Sequence, residues 1–302
     1  MNIFHAKEIA AGTMDRRIAS LLTTIAMPQL REWVERLSVP RHFLAEPEQN
    51  RAVAEWLVQT FNAFGLRAEL QGPHANVVAL PASQAQEIVL VGAHYDSMPM
   101  CPGADDNASA VAAMLGCAAC CSLWRPELPV MFVAFNREEE NLKGSRDFVA
   151  SFLPRLPFRI GCAHILEMVG FASSEPGSQR VPTGLPIRLS DRGDFLGLLA
   201  NRHSAGEMDF TLKVASTYLP ELPVAGLQVM LGLEKLFPVL FRSDHAPFWE
   251  EKMPAVMWTD TSEFRNPNYH CHRDTPDTLN YEFLARVTRL LTACVISRAV
   301  RV

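Results

Sequence analysis

Short apolar runs recur along the chain and are separated by stretches with helical periodicity. An apolar run bounded by turn residues indicates a buried strand, whereas apolar positions three or four apart indicate a helix packed on a core. In residues 48–64, for example, Val53, Leu57 and Phe61 lie on one helical face, and Gly65 follows at a typical C-terminal cap position. The pattern predicts strands at 67–71, 76–80, 87–93, 130–135, 162–168 and 254–259, and helices at 13–38 (one or two), 48–64, 107–123, 144–153 and 281–300.

The segment between the last two predicted strands is less regular. Residues 171–192 are rich in Pro, Gly and Ser, which predicts a long surface loop. We expect a helix at 194–201, a strand at 210–216, and a lid-like apolar segment at 219–239.

Strands that alternate with helices predict an α/β fold, with helices on both faces of a parallel sheet. Repeats, low-complexity tracts and clear linkers are absent from the sequence. We therefore expect one catalytic domain over residues 1–302, with residues 1–40 as a helical extension packed on it.

Composition narrows the functional classes. Hydrophobic residues make up 48% of the chain and the net charge is -5, which argues against a nucleic-acid partner. An apolar stretch of membrane-spanning length is not evident, and the weak signal-like segment after Arg16 and Arg17 lacks a cleavage site. The seven cysteines are expected to be buried free thiols in a reducing compartment, so the predicted location is cytoplasmic. The oligomeric state stays open.

Histidines and carboxylates follow the predicted strands at the points where these strands end. The carboxyl ends of parallel strands lie on one edge of a sheet, where open α/β folds usually keep their chemistry. Two imidazoles with several carboxylates suit Zn²⁺, and they provide enough ligands for two ions that share one carboxylate. A neighbouring glutamate that binds no metal can accept the proton of an activated water. The candidates are His94 and Asp96 after 87–93, Asp105 and Asp106 in the next loop, Glu138 and Glu139 after 130–135, Glu167 at the end of 162–168, and His270 and His272 after 254–259.

Each of these features has an ordinary structural explanation. A His-x-Asp sequence can form a polar turn, an acidic pair can provide favourable charge at a helix N-terminus, and Asp105-Asp106-Asn107 can be an N-cap. Glu167 differs because it lies within an apolar run, where a charge is costly unless it is paired or bound to metal.

Six motifs then resemble, in order, those of the co-catalytic (two-zinc) aminopeptidase family, which also contains glutaminyl cyclases and glutamate carboxypeptidases. The resemblance covers about residues 40–300. It implies a three-layer α/β/α sandwich of the phosphorylase/hydrolase type, with a mixed, mostly parallel sheet of about eight strands. The motifs are HYD at 94–96, GADDNASA at 103–110, EEENLKGS at 138–145, LEMVG at 166–170, RSDHAPF at 242–248 and YHCHRDT at 269–275.

The resemblance also implies a ligand set for two zinc ions, although one ion alone is possible. His94 and Glu167 would hold one zinc and Glu139 and His270 the other, with Asp106 bridging and followed by a cis peptide bond. Asp105 would take no part. In the best-studied aminopeptidases the residue at this position is Asp, and the longer Glu167 side chain of this protein, which can still bind metal, is expected to move one metal ion or weaken its site.

Further roles follow from the same resemblance. Glu138 would be the general base, Asp96 would orient His94, and Tyr269 would stabilise the oxyanion. Arg242 and Asp244 would lie near the substrate.

The leading hypothesis is a metal-dependent aminopeptidase acting on peptide or aminoacyl substrates. The first alternative is a single-zinc acyltransferase similar to glutaminyl cyclases, although cyclases tend to carry Trp where this chain has Tyr269. The second alternative is a binding protein that keeps the fold without catalysis, which the complete ligand set argues against.

Overall fold

A mixed nine-stranded sheet forms the centre of the protein, for which a computed structural model describes residues 1–301. Its strands are β1 Asn2–His5, β2 Arg67–Gln71, β3 Asn76–Leu80, β4 Glu87–His94, β5 Val130–Phe135, β6 Arg159–Glu167, β7 Leu196–Asn201, β8 Val224–Val229 and β9 Ala255–Thr259. Their order across the sheet is β1-β8-β7-β9-β6-β4-β5-β3-β2. Strands β5, β4, β6 and β9 run parallel to one another, and β7 and β8 form a second parallel pair that is antiparallel to β9. The α/β sandwich is confirmed. The parallel centre is flanked on one side by β3 and on the other by the β7–β8 pair, and both run antiparallel to it.

Helices cover both faces of this sheet. They are α1 Arg16–Leu22, α2 Met27–Leu37, α3 Pro47–Ala63, α4 Ala110–Trp124, α5 Lys143–Asp147, α6 Ala205–Tyr218, α7 His245–Glu250 and α8 Tyr281–Ala299. One hydrophobic core lies between the sheet and the layer of α1–α4, α6 and α8. The other core lies beneath α5, α7 and the long loops.

Three sequence-based predictions were wrong, and a fourth was wrong in part, because the segment predicted to be lid-like at 219–239 contains strand β8 of the central sheet. Residues 196–201 form strand β7 rather than a helix, because an apolar run this short fits either element and sheet pairing decides. Residues 210–216 belong to helix α6, in which Met208, Leu212 and Ala215 are buried at helical spacing. The extension at residues 1–40 is not all helical, because β1 pairs antiparallel with β8 at the edge of the sheet.

Helix α4 corrects the expectation about membrane-spanning length. The helical segment Ala104–Trp124 is long and apolar enough to cross a membrane by length and composition, with a mean hydropathy of 1.4. However, 78% of its apolar window is buried inside the protein. A helix that is apolar all round is expected at the centre of a core. Three cysteines lie on α4, and all seven cysteines are free thiols in the part of the chain that the structure describes.

Gly92 provides a test of the packing beneath the strand that ends at His94. A Cβ atom at Gly92 would lie 2.7 Å from the ring of Phe135 and 2.9 Å from the side chain of Ile165. Phe135 is itself held between two other phenylalanine rings. We expect Gly92→Ala to lower the free energy of unfolding by about 1–3 kcal/mol through overpacking.

Urea unfolding measures this change, and Gly206→Ala is the matched control. Gly206 lies in helix α6 with open space around it, so alanine there should be neutral or stabilising by up to about 1 kcal/mol. Equal stability of Gly92→Ala and the wild type would contradict the packing described here.

Candidate metal centre

His94, the last residue of β4, lies at the centre of the first group of candidate ligands and is 1% exposed. Its Nδ1 is 3.3 Å from Asp96 Oδ1. On the other side of the ring, Nε2 is 3.3 Å from Asp106 Oδ1 and 3.6 Å from Glu167 Oε2. The second nitrogen therefore faces two carboxylates, while Asp96 orients the ring from behind, as metal-binding histidines usually require.

His270 forms the second group. Its Nε2 is 3.1 Å from Asp106 Oδ2 and 3.3 Å from Glu139 Oε2. Asp106 thus directs one oxygen to each imidazole, which is the geometry of a carboxylate that bridges two metal positions. The peptide bond after Asp106 is cis.

Burial and charge make this site unusual. Burial raises the pKa of Glu138 well above its usual range, and burial together with repulsion from Asp106 raises the pKa of Glu139 to about 7. Burial would lower the pKa of His270, but hydrogen bonds to Asp106 and Glu139 raise it to about 10. Burial alone would also raise the pKa of Asp106, but the two imidazoles hold it below its usual value. The carboxylates therefore require nearby positive charge.

The donor set fits divalent cations. Within residues 1–301, the ring nitrogens of His94 and Oε1 of Glu139 are buried and lack a well-formed hydrogen bond. Each of the two groups combines one imidazole with carboxylates, and this ligand set suits Zn²⁺ or a similar ion. Metal ions in these groups would give His94 Nε2 and the Glu139 carboxylate a partner, whereas His94 Nδ1 faces Asp96.

Glu138 is a buried residue beside the first group of metal-ligand candidates. Its Oε2 is 4.0 Å from His94 Nε2, and its side chain lines the large cavity described below. The backbone N–H groups of Glu138 and Glu139 donate to the two oxygens of Asp96, at 3.2 and 3.3 Å. Asp96 thereby joins the ends of β4 and β5. The short distance between Glu138 Oε2 and His94 Nε2 would also suit a metal ligand, so the role of Glu138 as a base stays a prediction.

Buried polar side chains hold the loop that carries Asp106. The Asn107 side chain donates to the Leu166 carbonyl and accepts from the Met168 N–H, which ties this loop to the end of β6. Asp274 accepts from the backbone N–H groups of Asp105 and Asp106 at 2.9 and 3.0 Å.

Asp105 belongs to neither group of metal-ligand candidates, but it has a structural role. Its side chain is fully buried and accepts hydrogen bonds from the Gly170 N–H and the Asn266 side chain. It therefore links the metal loop to the segments that follow β6 and β9.

Arg242 and Tyr269 lie together beside the second group. Arg242 Nη2 donates to the Tyr269 hydroxyl at 2.9 Å, and the Tyr269 ring stacks on His270 with a centroid distance of 3.7 Å. Burial raises the pKa of Tyr269 beyond its usual range, so the phenol keeps its proton as a hydrogen-bond donor. Glu263, which the sequence did not single out, forms an ion pair with Arg242.

Asp244 is buried near His94 and Glu167, and its role near the substrate stays a prediction. Asp244 is 1% exposed, and burial raises its pKa to about 7. Its neighbour Ser243 donates a 2.6 Å hydrogen bond to Glu167 Oε2, so Ser243 positions the longer glutamate side chain. His272 is exposed, outside both groups of ligands.

Arg41 is the main functional residue that sequence reasoning missed. Its side chain is fully buried, and its guanidinium donates to the backbone carbonyls of Val39, Tyr95, Pro102 and Gly103. These contacts brace the loop between His94 and Asp106 at both ends. Asp96, Asp106 and Asp274 supply negative charge around the buried cation. The one signal in the sequence was an arginine between a proline and an apolar helix, which is not specific.

A separate cluster of Cys162, His164 and Glu207 has ligand-like spacing on the other side of the sheet. Trp258 Nε1 donates to His164 Nδ1 at 3.2 Å. Burial lowers the pKa of His164 to about 3, so the ring is neutral and its proton must be on Nε2, which faces Glu207 at 3.5 Å. Arg298 lies 3.1 Å from Glu207, whereas His164 Nε2 and both Glu207 oxygens lack a well-formed hydrogen bond, and the cluster takes no part in the candidate centre beside His94 and His270.

A cavity of about 470 Å³ opens beside the candidate metal centre. Asp106, Glu138, Glu139, Glu167 and His270 form one end of its lining. Other lining residues come from the loop predicted at 171–192 and from residues 239–242, near the end of the predicted lid-like segment. The catalytic candidates thus open onto a space of the size that binds small ligands.

We expect Arg41→Met to destabilise the protein by about 3–5 kcal/mol, because removing a buried, hydrogen-bonded charge leaves its partners unpaired. The loop between His94 and Asp106 should also loosen, so that the protein binds less divalent metal. Urea unfolding and metal analysis by mass spectrometry measure the two effects. Arg36→Met removes an exposed arginine and should change stability by less than about 0.5 kcal/mol. Wild-type stability of Arg41→Met would rule out the bracing role.

We expect Glu167→Ala to lower the divalent metal content by about one ion per chain. The substitution removes one carboxylate that faces His94 and leaves the His270 group intact. Metal analysis after dialysis measures the content, with Glu127→Ala as a control at an exposed glutamate. An unchanged metal content in Glu167→Ala would exclude Glu167 as a ligand.

Comparison with known proteins supports the family resemblance found in the motifs. The protein YfbL of Escherichia coli K12 is 32% identical over 298 residues, which cover 84% of this chain and 89% of YfbL. BSAP, a zinc aminopeptidase from Bacillus subtilis, is 26% identical with a TM-score of 0.52. The match covers 74% of this chain and about half (49%) of BSAP.

Two more distant structures share the fold. The Legionella pneumophila LapA aminopeptidase has a TM-score of 0.74 at 18% identity, over 96% of this chain and 78% of LapA. The glutaminyl cyclase of Porphyromonas gingivalis has a TM-score of 0.67 at 16% identity, over 90% of this chain and 98% of the cyclase. The sequence profile of Peptidase family M28 matches residues 76–188 and 226–295, more than half of the chain. The protein therefore belongs to Peptidase family M28.

Proposed function

We propose that this protein is a zinc-dependent aminopeptidase that hydrolyses the N-terminal peptide bond of peptides. The observation that carries the proposal is Asp106, whose two oxygens face two separate imidazoles, each accompanied by a further carboxylate. The similarity to BSAP, which is described as a zinc aminopeptidase, supports both the metal and the reaction.

His94, Glu167 and Asp106 would hold one zinc ion, and His270, Glu139 and Asp106 the other. Zinc bound there would supply Lewis acidity, which lowers the pKa of water and polarises a carbonyl group. The protein holds these ligands ready through Asp96 and Ser243, which contact His94 and Glu167.

The other steps belong to side chains of the cavity wall. Glu138 accepts a proton from the attacking water and returns it to the leaving amine, from a position that lines the cavity beside His94. The Tyr269 hydroxyl donates a hydrogen bond to the developing oxyanion, while Arg242 donates to the hydroxyl oxygen and holds it in place.

The alternatives are weaker. A single-zinc cyclase shares the fold but would leave one imidazole–carboxylate group without a role. A non-catalytic binding protein would have no use for a buried glutamate such as Glu138 beside the ligands. We also propose a cytoplasmic location, which the seven free cysteines favour, and a peptide partner rather than a nucleic acid or a membrane.

The test combines metal content with a substrate panel. The wild type should bind about two zinc ions per chain and release N-terminal residues from aminoacyl anilides, and a chelator should abolish this activity. Glu138→Gln should keep the zinc content but lower kcat by about a hundredfold or more, because it removes the proton acceptor without removing a ligand. Loss of zinc from Glu138→Gln would mean that Glu138 is a ligand.

If the protein cyclises an N-terminal glutamine substrate and binds about one zinc ion per chain, the function is that of a glutaminyl cyclase and not that of an aminopeptidase. Zinc binding without turnover of any substrate in the panel would favour the binding protein.

A further inference from the structure

The cavity continues sideways across the sheet from the metal centre. In the register of the sheet, Glu167 on β6 is paired with Thr259 on β9, Thr259 with Gly197 on β7, and Gly197 with Ala225 on β8. Paired residues have side chains on the same face of a sheet. Thr259, Gly197 and Ala225 therefore form a row of small side chains that begins beside a metal-ligand candidate. All three line the cavity.

A second row runs parallel to this small-residue row and lies on the same face, two residues later on β7 and β8 and two residues earlier on β9. Met257 is paired with Leu199, Leu199 with Leu227, and Leu227 with Ile3 on β1. These four side chains also line the cavity. The two rows together form a groove. The small-residue row leaves space above the sheet, and the second row of larger side chains forms an apolar wall beside it.

The length of the groove follows from the spacing of strands. Neighbouring strands are about 4.8 Å apart, so the three steps from β6 to β8 span about 14 Å. Pro182, Leu185 and Ile187 from the long loop, with Val239 and Phe241, add apolar surface to the same cavity. The groove is longer than an ordinary apolar amino-acid side chain.

The chemistry of the groove favours a hydrocarbon over a peptide. An extended peptide brings N–H and C=O groups that need partners. The face of a sheet offers none, because its own backbone groups are used between the strands. Two charged residues in the lining already have partners, since Arg146 is paired with Glu250 and Arg242 with Glu263. Arg180, which is exposed, donates to the Glu263 carbonyl.

We propose that this groove binds an unbranched apolar chain on the acyl side of the scissile amide bond. The proposal rests on the proposed function, because it assumes that amide hydrolysis takes place beside Glu167. Water adds to the carbonyl carbon, the C–N bond breaks, and a carboxylate bearing the chain leaves with a free amine. The chain can belong to an α-amino acyl group with a long side chain or to a fatty acyl group without an amine.

Two series of 4-nitroanilides distinguish these sources with the zinc-loaded enzyme. One series carries butanoyl, octanoyl and dodecanoyl groups, and the other carries the corresponding 2-aminoacyl groups. In at least one series, kcat/KM should rise by about two- to fourfold per added methylene between butanoyl and octanoyl. The series that rises identifies the source. Hydrolysis that is independent of chain length in both series would overturn the proposal.

Ala225→Leu tests the location of the chain, because it places a large side chain in the small-residue row. The ratio of kcat/KM for octanoyl over butanoyl substrates should fall by about tenfold or more, whereas Ala225→Ser should keep the ratio. If Ala225→Leu does not fold, Ile3→Asp provides a second test at a half-buried position on the edge strand. Ile3→Asp should lower kcat/KM for the dodecanoyl substrate. Unchanged chain-length ratios in a folded variant would place the chain elsewhere.

Binding of 1-octanol, measured by calorimetry, needs no turnover and separates the two proposals. The wild type should bind 1-octanol at least about tenfold more tightly than 1-butanol, and Ala225→Leu should lose this preference. Such binding without any hydrolysis would reject the proposed function and keep the groove. Aminopeptidase activity without the preference would reject the groove and keep the function.

Discussion

Buried negative charge is the constraint on which the rest of this structure depends. Asp106, Glu138, Glu139 and Glu167 converge at one rim of the sheet, where burial and repulsion raise the pKa values of Glu138 and Glu139. Carboxylates held this close in a buried site require compensating positive charge. The two imidazoles provide part of it, and divalent cations between the ligands provide the remainder when bound. The composition of the rim thus favours metal before any mechanism is considered.

The surrounding hydrogen bonds explain how the fold tolerates this rim. Asp96 joins the ends of β4 and β5, and Asn107 joins the metal loop to β6. Arg41 braces the same loop through carbonyl groups, so that its positive charge lies among carboxylates without a salt bridge to any one of them. Each contact is made to the backbone or to an outer carboxylate, which leaves the inner oxygens free to bind metal.

The sequence predicted which candidate ligands come together better than it predicted the topology of the sheet. His94 and Glu167 could be found because each ends a strongly apolar strand, and parallel strands bring their carboxyl ends together, while Asp106 lies in the loop that follows His94. Residues 196–201 could not be assigned, because a short apolar run suits a helix or a strand and its partners are distant in sequence. Arg41 and Ser243 were missed for a related reason. The contacts that reveal their roles, from Arg41 to Tyr95 and from Ser243 to Glu167, span more than fifty residues, and neither residue type is distinctive without them.

The reversal of chain direction between β9 and β7 separates catalysis from the proposed chain-binding groove. On β4, β5, β6 and β9 the metal rim meets carboxyl ends of strands, and the loops that follow them carry ligands. Strands β7 and β8 run the opposite way, so the same rim meets their first residues, among them Gly197 and Ala225. Because these first residues have small side chains, they leave space at the rim, whereas the strands of the parallel centre carry ligands there. A purely parallel sheet would place further loops over this position, and the space beside Glu167 would be filled.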